Sequence, residues 1–234
     1  QKAAKAPFQP PTRQENKMTS FRTLLAACLI ALLPAIGNAT VVFDSWTSNE
    51  GNSGNYIVTI TLNGAFFDVE LTVDPWNAEA LGIFFDLGDA TIVDDTIQNQ
   101  APAGEISVVA TDTTGDTCGP GCNINGLDVM LDDPDQEWEW VFSLGDAGFE
   151  GIQTFSWQMA ANSLGEEDFA LVAIRAQQLC SGDDLLPEDS ATCGGSDKSY
   201  SHGGTQEISE PGTLALFGLG LGLLGWLGRG RTVS

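Results

Sequence analysis

Residues 56–73 read Tyr-Ile-Val-Thr-Ile-Thr-Leu-Asn-Gly-Ala-Phe-Phe-Asp-Val-Glu-Leu-Thr-Val. Two runs rich in β-branched and aromatic residues flank Asn63-Gly64, a dipeptide that favours the left-handed backbone of a tight hairpin turn. In the second run, from Phe67 to Val73, apolar residues alternate strictly with polar or charged ones. Because successive side chains of a strand point to opposite faces, this pattern predicts one face in a core and one in water. The stretch therefore predicts an antiparallel β-hairpin with one wet face.

Similar short segments follow as far as residue 176, and none of them has a sustained helical period. In two of them, Trp138, Trp140 and Trp157 alternate with polar residues, so we expect these indoles to face the core. If they faced outward instead, they would form a platform on which sugar rings could stack. We predict strands at 56–62, 67–73, 81–87, 106–111, 124–131, 137–142, 154–159 and 169–176. Turn residues recur about every ten positions, which is typical of a β-sandwich or jelly roll. The sequence therefore predicts an all-β fold with a single sandwich domain at 40–198, followed by a polar, glycine-rich linker at 199–209.

The predicted domain is strongly acidic. Between residues 40 and 210 lie 31 of the 32 acidic residues and two basic ones, Arg175 and Lys198, an excess of 29 negative charges. Such a surface repels phosphate backbones, so we expect no nucleic-acid partner. It suits a solvated protein outside the cytoplasm, or one that uses divalent cations.

The N-terminal end of the chain has the pattern of an export signal. Residues 1–17 are polar, and we expect them to be a disordered upstream extension. Residues 18–39 contain a basic residue, Arg22, then an apolar run, and end in small residues up to Ala39. This order predicts a secretory signal peptide that is cleaved after Ala39. Lipid attachment at Cys28, within Leu-Ala-Ala-Cys, is the alternative.

Four cysteines lie beyond the predicted signal peptide: Cys118, Cys122, Cys180 and Cys193. In an exported chain they predict two disulfides, with three possible connectivities. We favour the local pairing, because Gly-Pro-Gly between Cys118 and Cys122 lets the chain turn back over a short ring. A zinc site is the rival interpretation, although His202 is the only histidine of the sequence to complete it.

The C-terminal end has three pieces in a fixed order. Ser209-Glu210-Pro211 precedes an uncharged apolar run at 213–228, which is followed by Arg229 and Arg231. As a helix the run would span roughly 24 Å, somewhat less than the hydrocarbon core of a bilayer. We predict a short transmembrane helix at 213–228, with the two arginines on the cytoplasmic side.

This tail, residues 210–234, resembles the PEP-CTERM sorting signal. In that family the motif reads Pro-Glu-Pro; here Ser209 stands at the first position, while Glu210 and Pro211 match the other two. The resemblance implies export in a Gram-negative bacterium, anchoring in the inner membrane, and recognition by an exosortase-like enzyme that cuts the tail. It also implies delivery to the cell surface or to an extracellular matrix, where exopolysaccharide would be a partner.

Three segments inside the predicted domain resemble a β-rich domain found in a group of these proteins. They are residues 81–87, residues 123–129, and Arg175-Ala176-Gln177 together with residues 195–198. That domain has no assigned function. The resemblance therefore supports the fold class and implies no activity.

Acidic side chains are concentrated at Asp132, Asp133, Asp135 and Glu137. Three interpretations stay open: a solvated loop, a calcium site built from oxygen ligands, or a pair of glycosidase carboxylates. The solvated loop is the simplest of them. The segment 112–116 is a second, weaker calcium candidate.

Nucleophilic catalysis usually needs a histidine base beside the nucleophile. The one histidine, His202, falls in the predicted linker, so we expect no Ser–His or Cys–His site. We therefore predict an exported, non-catalytic protein with a structural or adhesive role. The alternatives are a calcium-dependent carbohydrate-binding module and a secreted glycoside hydrolase.

Overall fold

A computed structural model describes residues 39–132, 134–181, 184–186 and 193–208. Its strands are all paired antiparallel, and its helical content is one 3-10 turn, Glu166–Asp168. The strands are Ala39–Phe43 (β1), Thr47–Ser48 (β2), Tyr56–Asn63 (β3), Phe66–Val73 (β4), Glu79–Asp86 (β5), Ile97–Ala101 (β6), Ile106–Thr113 (β7), Thr117–Gly119 (β8), Cys122–Asn123 (β9), Trp138–Leu144 (β10), Thr154–Ala160 (β11), Leu171–Leu179 (β12), Gly195–His202 (β13) and Thr205–Ile208 (β14). The predicted all-β class is confirmed.

Two six-stranded sheets account for most of these strands. The first sheet has the order β14-β1-β3-β4-β11-β6, and the second has the order β2-β13-β12-β5-β10-β7. The predicted hairpin is β3–β4: Asn63 pairs with Phe66, and Gly64 takes a positive φ of 67° in the turn. As expected for one wet face, Phe67, Val69, Leu71 and Val73 of β4 are buried.

The inner faces of the two sheets share one apolar core, as expected for a β-sandwich. Trp157 of the first sheet lies 5.2 Å from Phe142 and 6.5 Å from Phe85 of the second, measured between ring centroids. Trp140 stacks on Phe142 at 5.3 Å. These aromatic rings supply much of the apolar area that drives folding.

The outer face of the second sheet is also covered. A second cluster joins Phe84 and Trp138, whose rings lie 5.3 Å apart, to Ile124 and Leu131 of the segment that crosses this face. Strand β5 is consequently buried at every position, which explains its continuous apolar run from Ala80 to Phe85. Trp138, Trp140 and Trp157 are all buried, as predicted, but Trp138 packs in this second cluster and not in the core between the two sheets.

The predicted strand at 124–131 is wrong. Extended pairing ends at Asn123, and the amide of Leu127 donates to the carbonyl of Ile124 across a turn at Gly126, whose φ is 81°. The apolar residues at the two ends of this segment are separate anchors in the second cluster, not one face of a strand.

The predicted linker at 199–209 is also wrong, because β13 and β14 occupy residues 195–202 and 205–208. Strand β14 pairs with β1 at the edge of the first sheet. The strand predicted at 169–176 is therefore followed by two further strands, β13 and β14. The pattern of β13 misleads because its inward residues are polar: Asp197, Ser199 and Ser201 are buried. Hydrophobic periodicity cannot find such a strand.

Two disulfides join Cys118 to Cys122 and Cys180 to Cys193, which is the local connectivity. The first closes the small β8–β9 hairpin. The second joins the residue after β12 to the segment before β13, at the loop end of that strand pair. Each bond therefore reinforces a hairpin that the backbone already forms.

The predicted extension at 1–17, residues 18–38 of the predicted signal peptide, and the predicted sorting tail lie outside the described residues; Ala39 is the first residue of β1. Among the residues that the structure does describe, no helix has the length and apolarity needed to cross a bilayer.

Gly82 of β5 lies against the Cys118–Cys122 disulfide. A Cβ atom at Gly82 would lie 2.5 Å from the Sγ of Cys118 and 2.7 Å from the Sγ of Cys122. We expect Gly82→Ala to lower the free energy of unfolding by about 1–3 kcal/mol through overpacking, measured by urea denaturation. Gly194→Ala is the matched control, because a Cβ there meets nothing within 4 Å. Equal effects of the two substitutions would contradict this packing.

Candidate functional site

The predicted acidic segment is mostly at the surface. Asp132 and Asp135 are exposed, Glu137 is half-buried, and Asp133 lies outside the described residues. The backbone amide of Asp132 donates to the buried carboxylate of Asp86 at 2.7 Å. Within the described part of the chain, no group of three or more His, Cys, Asp or Glu side chains is arranged to hold a metal ion. Calcium binding here stays a prediction.

The weaker calcium candidate, at 112–116, has a structural contact. Both carboxylate oxygens of Asp112 accept the amide of Ile92, at 3.0 and 3.2 Å. This carboxylate therefore fixes the loop that follows β5.

His202 lies at the exposed end of β13, with its ring 5.2 Å from that of Tyr200. Its strand position differs from the predicted linker. The contact of its ring with Tyr200 is an edge-on aromatic one.

The strongest polar constellation in the interior surrounds Asp197. Its carboxylate accepts hydrogen bonds from the hydroxyls of Ser48 at 2.7 Å, Tyr56 at 2.8 Å and Ser199 at 2.7 Å, and from the amide of Gly54 at 3.0 Å. These donors come from β2, β3, β13 and the segment before β3. Because these donors lie on both sheets, the network joins the second sheet to the first. A buried carboxylate needs several donors to offset its lost hydration.

Tyr56 is the titratable group whose ionisation this network affects most clearly. Burial of the phenol, and then the negative charge of Asp197 and the hydrogen bond to it, raise the pKa of Tyr56 well above its ordinary value of 10.0. Gly54 packs against the phenol ring so closely that a Cβ would overlap it. The sequence predicted a strand that begins at Tyr56 but carried no signal for the carboxylate partner of Tyr56.

Other buried carboxylates also accept backbone amides, from loops or from a strand. Glu79 accepts from Glu150 at 2.8 Å and from Gly151 at 2.9 Å. Glu166 accepts from Leu62 at 2.9 Å, and Glu139 accepts from Leu87 at 2.5 Å. These acids are positioned as structural acceptors.

A row of paired polar side chains crosses the outer face of the first sheet. We call it the closed row: Thr40, Thr61, Asp68, Gln158 and Gln98, each opposite the next on the neighbouring strand. The hydroxyls of Thr40 and Thr61 lie 2.8 Å apart. Gln158 donates to Asp68 at 2.5 Å and accepts from Gln98 at 2.9 Å. Hydrogen bonds thus join Thr40 to Thr61 and, separately, join Asp68, Gln158 and Gln98 to one another.

A bulge in β6 adds a further donor to the closed row. The register between β6 and β11 shifts between Ser156 and Gln158, and Asn99 takes a positive φ of 53°. Its amide donates to the Oε1 of Gln158 at 2.6 Å. Bulges often re-aim a side chain in this way.

A second row lies beside the first, and we call it the open row: Thr59, Glu70 and Ser156. Glu70 pairs directly with both Thr59 and Ser156 across the strands. In the described structure the side chains of these three residues make no hydrogen bond, in contrast to the closed row. The open row lines a surface cleft of about 360 Å³, together with Asn99 and three members of the closed row, Thr61, Asp68 and Gln158.

The sequence predicted the wet face of β4 and β11 but not this cleft. The cleft depends on which residues lie opposite one another across four strands, and strand β6 was not predicted at all. The predicted site residues at 132–137 are not among the residues that line it.

Family models, curated proteins and solved structures were each compared with this chain, and none of them matches it.

We expect Tyr56→Phe to lower the free energy of unfolding by about 1.5–3 kcal/mol at pH 7, because it removes a hydrogen bond to a charged acceptor. A raised folded-state pKa means that Tyr56 contributes stability that is complete below about pH 10 and is lost as the pH rises above it. The wild type should therefore lose stability more steeply than Tyr56→Phe between about pH 9.5 and 11, measured by urea denaturation across that range.

Tyr200→Phe is the control for this experiment, since Tyr200 is the other tyrosine and is half-buried. This variant keeps Tyr56 and should therefore keep the steep alkaline loss of stability that Tyr56 causes. Equal slopes for the wild type and Tyr56→Phe would contradict the environment assigned to Tyr56.

Proposed function

We propose that this chain is an exported, non-catalytic protein of the cell surface or extracellular matrix, with a structural or adhesive role. It would be sorted through its C-terminal tail after recognition by an exosortase-like enzyme. The observation that carries the proposal is the pair of disulfides. Such bonds persist in oxidising compartments and are rare in the bacterial cytoplasm.

The pairing of the first and last described strands gives further support. Ala39, the last residue of the predicted signal peptide, lies directly opposite Ile208, which precedes the predicted sorting motif. The described domain therefore begins and ends on neighbouring strands, which suits a domain flanked by an export signal and a sorting tail.

The replacement of the predicted linker by β14 makes the tether short. Four residues, Ser209 to Gly212, separate Ile208 from the apolar run that begins at Thr213. Fully extended, they reach about 14 Å. Before cleavage the connection between β14 and the predicted tail would therefore be short.

A secreted glycoside hydrolase is the second candidate function. Asp68 and Glu70 line the same cleft and are two positions apart in β4, so about 6.6 Å separates them along the strand. Glycosidase carboxylates lie in that range. The non-catalytic role is preferred because Asp68 already accepts amide hydrogen bonds from Gln158 and Asn63. The calcium-dependent carbohydrate-binding module stays a prediction.

The proposal predicts the mass of the protein recovered from outside the cytoplasm of its native host. We expect an N-terminus at Thr40, a C-terminus near Glu210, and no reaction of the remaining four cysteines with alkylating agent before reduction. Intact-mass and peptide mass spectrometry would measure all three features.

Substitution of Pro211 by alanine provides the control, because it alters the predicted motif and leaves the described strands untouched. The variant should retain residues 229–231. A wild-type protein found in the cytoplasm with four free thiols would overturn the proposal, and a secreted wild type that retains Arg231 would overturn the processing step.

A further inference from the structure

We propose that the cleft on the outer face of the first sheet binds a neutral, hydroxyl-rich polysaccharide directly, without a bridging metal ion. The inference deepens the proposed adhesive role and rests on it, since it names the ligand class and the site. Its binding residues are Thr59, Glu70 and Ser156 of the open row.

The open row offers the polar groups that sugar hydroxyls recognise. Thr59 and Ser156 each provide a hydroxyl that donates and accepts, and Glu70 between them provides two acceptor oxygens. Their pairing across β3, β4 and β11 brings these groups to adjacent positions on one face. Because they make no hydrogen bond within the described structure, a ligand would not have to break one to reach them.

The closed row makes the neighbouring wall of the cleft rigid. Gln158 is held by three partners: Asp68 at 2.5 Å, Gln98 at 2.9 Å and Asn99 at 2.6 Å. A second amide, that of Asn63, fixes the other oxygen of Asp68 at 2.9 Å. Side chains that are already ordered lose little conformational entropy when a ligand binds.

The charge of the side chains that line the cleft favours neutral glycans over anionic ones. Two carboxylates, Asp68 and Glu70, line the cleft, and no lysine or arginine is among the described residues that line it. The two cations of the predicted domain, Arg175 and Lys198, belong to β12 and β13 of the other sheet. A polyuronate or sulfated polysaccharide would therefore be repelled, whereas a neutral chain would not.

The affinity of one cleft for one sugar segment should be low. The aromatic residue that lines the cleft, Trp157, is only 2% exposed and cannot offer its face to a sugar ring. Binding would rest on hydrogen bonds exchanged with water, each of which contributes little net free energy. We expect a Kd of about 1 mM for a short oligosaccharide.

Affinity electrophoresis of the full chain tests the proposal. The protein, in a polyoxyethylene detergent that carries no sugar, is run in native gels that contain a neutral glucan, a neutral galactomannan, or a polyuronate. We expect retardation by at least one neutral polysaccharide, none by the polyuronate, and no change with EDTA.

Matched isosteric variants locate the site. Thr59→Val removes one hydroxyl from the open row and should weaken retardation about 3- to 10-fold, with Ser156→Ala acting similarly. Thr72→Val is the control, because Thr72 lies on the same strand face as Glu70 but is not among the lining residues. Retained circular dichroism and urea midpoints would separate binding effects from unfolding.

Each other outcome overturns the inference. Retardation by none of the neutral polysaccharides would show that the cleft is only a solvated face. Loss of binding with EDTA would favour a calcium-dependent module, and release of reducing ends would favour a hydrolase. Equal weakening by Thr59→Val and Thr72→Val would exclude the open row. Export and tail processing are measured separately, so their failure would be distinct from failure of glycan binding.

Discussion

The buried carboxylate of Asp197 is the interaction on which the joining of the two sheets depends. It replaces apolar contacts along the inward face of β13 with hydrogen bonds from Ser48, Tyr56, Ser199 and Gly54. An isolated charge in the interior is very unfavourable unless several donors offset its lost hydration. Here those donors are neutral hydroxyls and an amide, and Arg175 reaches the backbone carbonyl of Asp197 instead of its carboxylate.

The same solution recurs throughout the fold because the chain has few cations to offer. Asp86, Glu79, Glu139 and Glu166 are buried, and each accepts backbone amides from a loop or a neighbouring strand. Acidic residues therefore do two physically different jobs in this protein. Some keep the surface hydrated, whereas others fix connections that glycine-rich loops would leave undefined.

The amino-acid pattern predicts the strands in which burial follows hydrophobicity. Strand β4 has the expected period of two, and β5 has an unbroken apolar run from Ala80 to Phe85 because both faces of its sheet are covered. Strand β13 could not be found this way, since its buried face is Asp, Ser and Ser. The segment at 124–131 misleads for the opposite reason: its apolar residues anchor a turn. The cleft was beyond prediction because Thr59, Glu70 and Ser156 become neighbours only through strand register.

The position of the tether affects how high the affinity of the cleft for its ligand needs to be. Strand β14 ends one residue before Ser209, and three strand spacings, about 14 Å, separate β14 from β4 in the first sheet. A protein attached through residues just beyond β14, to a membrane or to a matrix polymer, would carry its cleft close to that attachment. Attachment raises the effective concentration of nearby matrix chains, so a millimolar site is enough to hold them. The weak, hydrogen-bonded character of the cleft and the short tether are therefore mutually consistent: the tether would supply permanence, and the cleft would supply selectivity for neutral glycan.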